Sequence, residues 1–173
     1  MTAAPGRIVV GTDGSVQARR ALDWAVAEAE RTGGTLHLVT AWMFPMALGY
    51  AFTTTVHEVR QAAQDTVDRA VAHVAEVAPA LTVTGETTEQ PPGPALVAAS
   101  KGADLLVVGS RGLGGFEGLL LGSVSQYCSR HATCSVVSPV TASSGATPAT
   151  WATERSTMSW AAWRTSCTVV VKA

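Results

Sequence analysis

Two stretches of this 173-residue sequence hold residues whose types and spacing suit the binding of phosphate. The first is VGTDGS, Val10 to Ser15, which places Thr12 and Asp13 in a turn directly after the β-branched run RIVVG. In such a turn Asp13 or Ser15 can accept from the free N–H groups of a following helix. The second is GSRGLGGFEGLLLGS, Gly109 to Ser123, with six glycines in fifteen residues. Three of them fall as Gly109-x2-Gly112-x9-Gly122, followed by Ser123. Missing Cβ atoms at Gly109 and Gly112 permit positive φ and let backbone approach a sugar or phosphate closely. Gly122 and Ser123 open the helical stretch VSQYCSRHA, where free N–H groups, the helix dipole and the Ser123 hydroxyl favour an anion. Arg111 is the one cation of the stretch. GxxxxGK[ST] is absent and Gly109 to Gly114 does not fit GxGxxG, so neither standard phosphate loop applies.

The remaining chemistry-bearing residues read as structural. His37 alternates with Leu36 and Leu38, and His57 and His73 lie on or beside a long helix without a partner at ligand spacing. His131 ends a helix, where the dipole favours a cation. Cys128 and Cys134 read as core thiols and Trp24 as a packing residue. Trp42 follows Ala41 and is a possible wall for a bound ring. Three cysteines without CxxC or Cys/His spacing argue against a disulfide framework or a zinc site, and fit a reducing cytoplasm. Glu117 has no second carboxylate or base beside it, so a general base is missing.

The elements that must position these residues follow from periodicity. Helices are expected from Ser15 to Arg31, stopped by Gly33 and Gly34, and from Thr55 to Ala78, stopped by Pro79. Strands are expected at RIVVG, TLHLVTAW, LTVTGE (Leu81–Glu86), ADLLVVG and CSVVSPV, with a short helix ALVAASKG after QPPGP and a last helix from Ser123 to His131. ADLLVVG, a continuous apolar run, reads as a central parallel strand covered on both faces. Residues 43–54 read as a partly apolar connecting loop. Strands separated throughout by helices call for a parallel sheet flanked on both faces, which binds ligands at the carboxyl ends of its strands. Both motifs stand at such ends, and they face each other if strands one and four are neighbours.

Composition sets the frame. Hydrophobic residues make up 47% and charged residues 14%, enough apolar surface for one real core. Twelve basic and thirteen acidic residues leave a net charge of −1 without long runs, so nucleic acid and anionic membrane are not expected partners. No apolar run approaches the roughly 20 residues of a membrane span.

With these motifs the sequence resembles the universal stress protein family. The nucleotide-binding members carry G-x2-G-x9-G-[ST], met by Gly109, Gly112, Gly122 and Ser123, and V-G-x-D-G-S, met by Val10 to Ser15. GSVSQYCSRHATCSVV also looks like the family's loop-to-last-strand segment. The resemblance covers residues 5–140 and leaves 141–173 as a linker-like tail that carries three of the five tryptophans. It implies a single Rossmann-like α/β domain with a five-stranded parallel sheet of order 3-2-1-4-5, ATP with Mg²⁺ as ligand, and a homodimer formed through the last strand. Carried over by position, Thr12 and Asp13 would meet the nucleotide, Asp13 at the ribose or at a metal on the phosphates. Backbone near Ala41 would meet the adenine. Val108 and Gly109 would border the ribose, and Gly112, Gly122, Ser123 and Val124 would hold the phosphates, with Arg111 added on grounds of charge. Ser138-Pro139 interrupts the last strand, since proline cannot donate to a ladder, and the terminal CTVVVKA is the alternative pairing strand.

Water activation for ATP hydrolysis needs a positioned base, a metal and a cation, for which only Asp13, Arg111 and Ser123 are available. The expected function is therefore that of an ATP-binding stress-response switch with a protein partner and at most slow hydrolysis. An adenylating ligase of the PP-loop kind would carry SGGxDS where VGTDGS stands. A scaffold that binds no nucleotide would not need the complete glycine spacing.

Overall fold

The computed structural model describes residues 6–44, 55–113, 121–141 and 167–169. Strand β1 (Arg7–Gly11) leads into helix α1 (Val16–Thr32), whose N-cap Ser15 accepts from Ala18 N–H at 3.1 Å. Such a cap stabilises a helix by about 1 kcal/mol. Gly33 closes α1 in the left-handed region at φ 67°, a conformation that costs a residue with a Cβ. Strand β2 (Thr35–Trp42) follows. Helix α2 (Val56–Val77) begins at a capping box in which Thr55 and Glu58 satisfy each other's backbone N–H groups. The Thr55 N–H, and after it the Thr55 side chain, hold the Glu58 carboxyl below its ordinary range. The bounds of both helices agree with the periodicity to within a residue.

The carboxyl half of the sheet departs more from expectation. Strand β3 (Val83–Glu89) starts later and runs further than LTVTGE, because all seven of its residues pair with β2. Helix α3 (Pro92–Ala99) has proline at its first position, where no N–H is needed. Strand β4 is Leu105–Val107, with Val108 outside it although its N–H still reaches Val137 O at 3.0 Å. Helix α4 (Ser123–His131) has the expected bounds. CSVVSPV splits at Ser138 into β5 (Ser135–Val137) and β6 (Pro139–Thr141), as the missing donor of Pro139 requires. Cys167–Val169 forms β7, which pairs antiparallel with β6 in a two-stranded sheet separate from the main one. The remainder of the tail, the loop residues 45–54 and the glycine-rich insert residues 114–120 lie outside the described residues.

The main sheet has five parallel strands in the order β3-β2-β1-β4-β5, the order implied by the resemblance. The side-chain period of two divides its core into two layers. Ile8, Val10, Leu36 and Leu38 face α1 and α2, packing against Leu22, Trp24, Val26, Val67 and Val74. Val9, Val39, Leu106 and Val136 face α3 and α4, packing against Leu96 and Cys128. Strand order reverses between β1 and β4, which are neighbours. The turn after β1 and the glycine loop after β4 therefore open side by side at one end of the sheet. Among the described residues, no helix is long and apolar enough to cross a membrane.

Burial pushes the Cys128 thiol up to about 11, because the apolar layer disfavours the thiolate. Alkylation of the native protein with iodoacetamide near neutral pH is expected to leave Cys128 unmodified while the half-buried Cys134 reacts first. Peptide mass spectrometry, with a denatured control in which both react, checks this.

Candidate functional site

The cleft lies between the carboxyl ends of β1, β2 and β4 and the first turns of α1, α3 and α4. Its floor is set by strand ends. Thr12 N–H donates to Val39 O at 3.0 Å, which carries the turn after β1 across to β2. All ten residues named from the sequence line this one cavity: Thr12, Asp13, Ala41, Val108, Gly109, Arg111, Gly112, Gly122, Ser123 and Val124. Trp42 does not line it. Alternation along β2 turns Ala41 toward the cleft and places Trp42 with Leu36 and Leu38 on the opposite face.

The three motif glycines stand in three different surroundings, and none of them has positive φ, which among the glycines of the described residues occurs at Gly14, Gly33 and Gly102. A Cβ on Gly109 would stand 3.0 Å from Ala18 N, 3.1 Å from Arg111 O and 3.1 Å from Gln17 C. Gly109 therefore admits the first turn of α1 to the end of β4. A Cβ on Gly112 would stand 2.6 Å from Asp13 Oδ2, so this glycine admits a carboxylate. At Gly122 the nearest atom is Arg111 Cα at 3.4 Å, and φ is −78°, a backbone any residue adopts. The protein itself does not require glycine there.

Asp13 joins the two motifs. Its Oδ1 accepts from Ser15 N–H at 2.9 Å and its Oδ2 from Leu113 N–H at 3.2 Å, a bond between residues a hundred positions apart. The start of α4 is tied to the same loop, since Gly122 N–H donates to Ser110 O at 2.7 Å and the buried Ser125 hydroxyl lies 3.1 Å from the same oxygen. The N-cap Gly122 brings no side chain to the first turn of α4, so the N–H groups there open toward the cleft. Arg111 has no hydrogen bond or ion pair among the described residues.

Sequence reasoning missed Ser110 and Ser125, which brace the loop, and Pro92 and Leu96, which bring an apolar wall from α3. Serine at the third position of a helix behind a glycine loop was the available signal for Ser125. Nothing local pointed to Pro92 or Leu96. The histidines lie elsewhere. His37 bonds Thr84 Oγ1 at 2.9 Å and Glu86 Oε1 at 3.2 Å across the β2–β3 pair. His73 links α2 to α1 through Asp23 at 2.7 Å and Arg19 at 2.6 Å. His131 packs on Tyr127 with ring centroids 4.3 Å apart.

As a test of the Mg²⁺ expected at Asp13, the donor set does not fit. Asp13 is the one carboxylate among the described lining residues, and a cation on either of its oxygens would compete with the backbone N–H bonds that tie the two loops.

Fold and site together define a doubly wound α/β protein with a ligand cleft at its topological switch point. Residues 5–138 match the model of the universal stress protein family, and the chain belongs to that family. It is 37% identical over 138 residues to a universal stress protein of Mycobacterium tuberculosis, a match covering 75% of this chain and 46% of that protein. With a universal stress protein of Thermus aquaticus it shares 36% over 139 residues, 75% of this chain and 95% of the relative. The chain thus spans about half the length of the mycobacterial relatives it matches. Among solved structures, a universal stress protein crystallised in complex with cAMP is similar at 31% identity and TM-score 0.59, over 78% of this chain and 96% of its own.

Proposed function

We propose that the protein binds an adenine nucleotide in this cleft and acts as a stress-response switch whose occupied and empty states differ in the loops that meet there. The observation that carries the reading is the convergence of all ten motif residues on one cavity at the switch point. The cAMP complex of a relative at 31% identity supports the adenine class. Ala41 and the apolar wall of Leu96 flank the space for the base, and Val108 and Gly109 the space for the ribose. The open first turn of α4, the Ser123 hydroxyl and the Arg111 guanidinium supply donors to phosphate oxygens.

Binding rather than turnover follows from the lining. Asp13 and Arg111 are the only titratable side chains among the described lining residues, and Asp13 is engaged in the bonds that join the two loops, so the described lining aims no side chain at an attacking water. Ribose and phosphate would both meet the glycine loop, so occupancy would bias how that loop lies beside the turn after β1.

Calorimetric titration with adenine nucleotides tests the reading, using wild type and Gly122→Val. The variant is expected to melt within a few degrees of wild type, because Gly122 has ordinary backbone and no tight contact, yet to lose at least about tenfold in affinity as its side chain enters the phosphate space. Wild type that binds no adenine nucleotide refutes the proposal. Unchanged protease sensitivity between empty and saturated protein refutes the switch.

A further inference from the structure

The donors and charges of the cleft say which kind of adenine nucleotide it is built for, an inference that rests on the adenine-nucleotide reading above. Asp13 is engaged on both oxygens. Ser15 N–H reaches Oδ1 and Leu113 N–H reaches Oδ2, and the second bond closes the glycine loop onto the turn after β1. Gly112 belongs to the same device, since a Cβ there would lie 2.6 Å from Asp13 Oδ2. A cation recruited to this carboxylate would compete with the bond that holds the two loops. Mg²⁺ demands near-octahedral oxygen ligands and loses its water reluctantly, and among the described lining residues no second carboxylate helps it.

Positive charge is equally limited. Arg111 is the one lysine or arginine among the described lining residues. The N-terminus of α4 adds roughly half an elementary charge. Against these stands the full negative charge of Asp13. A single phosphate, carrying about −1.5 to −2 as a monoester or less as a diester, is balanced by one guanidinium and one helix end. A triphosphate adds further charges that sites for such nucleotides neutralise with a lysine and a metal held by acidic residues, and the described lining has no lysine and Asp13 as its one carboxylate.

We infer that Asp13 is a latch between the two loops and not a metal ligand, and that the cleft takes an adenine nucleotide with one phosphate, bound without a divalent cation. This departs from the ATP with Mg²⁺ that the resemblance implies. Arg111 is then the group that reads the phosphate, and Asp13 is a positioning residue that sets the loop Arg111 stands on.

Titration of the full chain with AMP, cAMP and ATP, each in EDTA and in excess Mg²⁺, tests the inference on wild type, Asp13→Asn and Arg111→Gln. AMP or cAMP is expected to bind with the same Kd within about twofold in both media, and ATP at least about tenfold more weakly in both. Arg111→Gln should weaken the single-phosphate nucleotide about tenfold or more, the effect of losing a hydrogen bond to a charged group. Asparagine keeps an acceptor for one N–H and loses the other. Asp13→Asn should therefore weaken binding equally with and without Mg²⁺ and speed amide hydrogen exchange at Leu113 in the unliganded protein. ATP bound more tightly than AMP in Mg²⁺, with Asp13→Asn cancelling only the Mg²⁺-dependent part, overturns the inference and leaves the adenine-nucleotide reading standing. Should Asp13→Asn fail to fold, the wild-type Mg²⁺ comparison and Arg111→Gln still decide. No binding of any of the three nucleotides overturns both.

Discussion

Leu106→Ala is expected to lower the unfolding free energy by about 2–5 kcal/mol, the range for truncating a fully buried leucine. Leu106 lies in the middle of β4, the strand that carries the glycine loop, and is fully buried. It packs between Val9 of β1 and Val136 of β5, beneath Leu96 of α3 and Cys128 of α4, so every neighbour comes from a different element. None of them can collapse into the space without moving a strand or helix, which places the cost toward the upper part of the range. Thermal denaturation checks it, with a fall in Tm of roughly 10 °C expected for a domain of this size. The same substitution is expected to disturb the cleft, because Val108 and Gly109, directly after β4, and Pro92 and Leu96 of α3 line it. A drop below about 1 kcal/mol would show that the layer between the sheet and α3 and α4 is looser than its burial indicates.

Gly109→Val is expected to destabilise the fold and abolish ligand binding together, unlike Gly122→Val, which spares the fold. The three atoms nearest a Cβ at Gly109 are all backbone, from Gln17, Ala18 and Arg111, at 3.0–3.1 Å. A backbone contact offers no rotamer by which the neighbour can turn away. The first turn of α1 must retreat from the end of β4, and the cost of such overpacking is about 1–3 kcal/mol. Retreat of α1 also carries Ser15 and Asp13 with it, pulling the latch away from Leu113. Urea denaturation paired with calorimetry measures both effects in one protein. A variant as stable as wild type that still binds nucleotide would show that the spacing of the motif reflects nothing in the packing between β4 and α1.

The local elements were legible because their causes are local. The alternation of TLHLVTAW, the stripe from Val59 through Val74, the capping residue Ser15 and the stops at Gly33 and Pro79 act within a few residues, and the structure has β2, α1 and α2 where they say. Helix α4 has its expected bounds from Ser123 to His131, since a glycine before it and apolar spacing within it are enough. The break at Ser138-Pro139 was also written in the chain, because a missing N–H has the same consequence in any sheet. Strand β3 was not placed as well. LTVTGE has weak alternation of its own, and its pairing with β2 extended it to Glu89.

The site divides in the same way. Residue types and spacing by themselves singled out Thr12, Asp13 and the Gly109–Ser123 stretch as candidates for phosphate binding, and the resemblance supplied the strand order that brings them together. Only the tertiary structure decided what each residue does there. Gly109 answers to α1, Gly112 to Asp13, and Gly122 to no tight protein contact, although all three look alike in the motif. The sequence left Asp13 either at the helix N–H groups or at the ligand, and in the fold its two oxygens accept from Ser15 N–H and from the distant Leu113 N–H. The apolar wall of Pro92 and Leu96 arrives from a helix some eighty residues after Asp13. Spacing along a chain reports the backbone's local demands, whereas the partner of a Cβ or a carboxylate is set by which distant element packs against it.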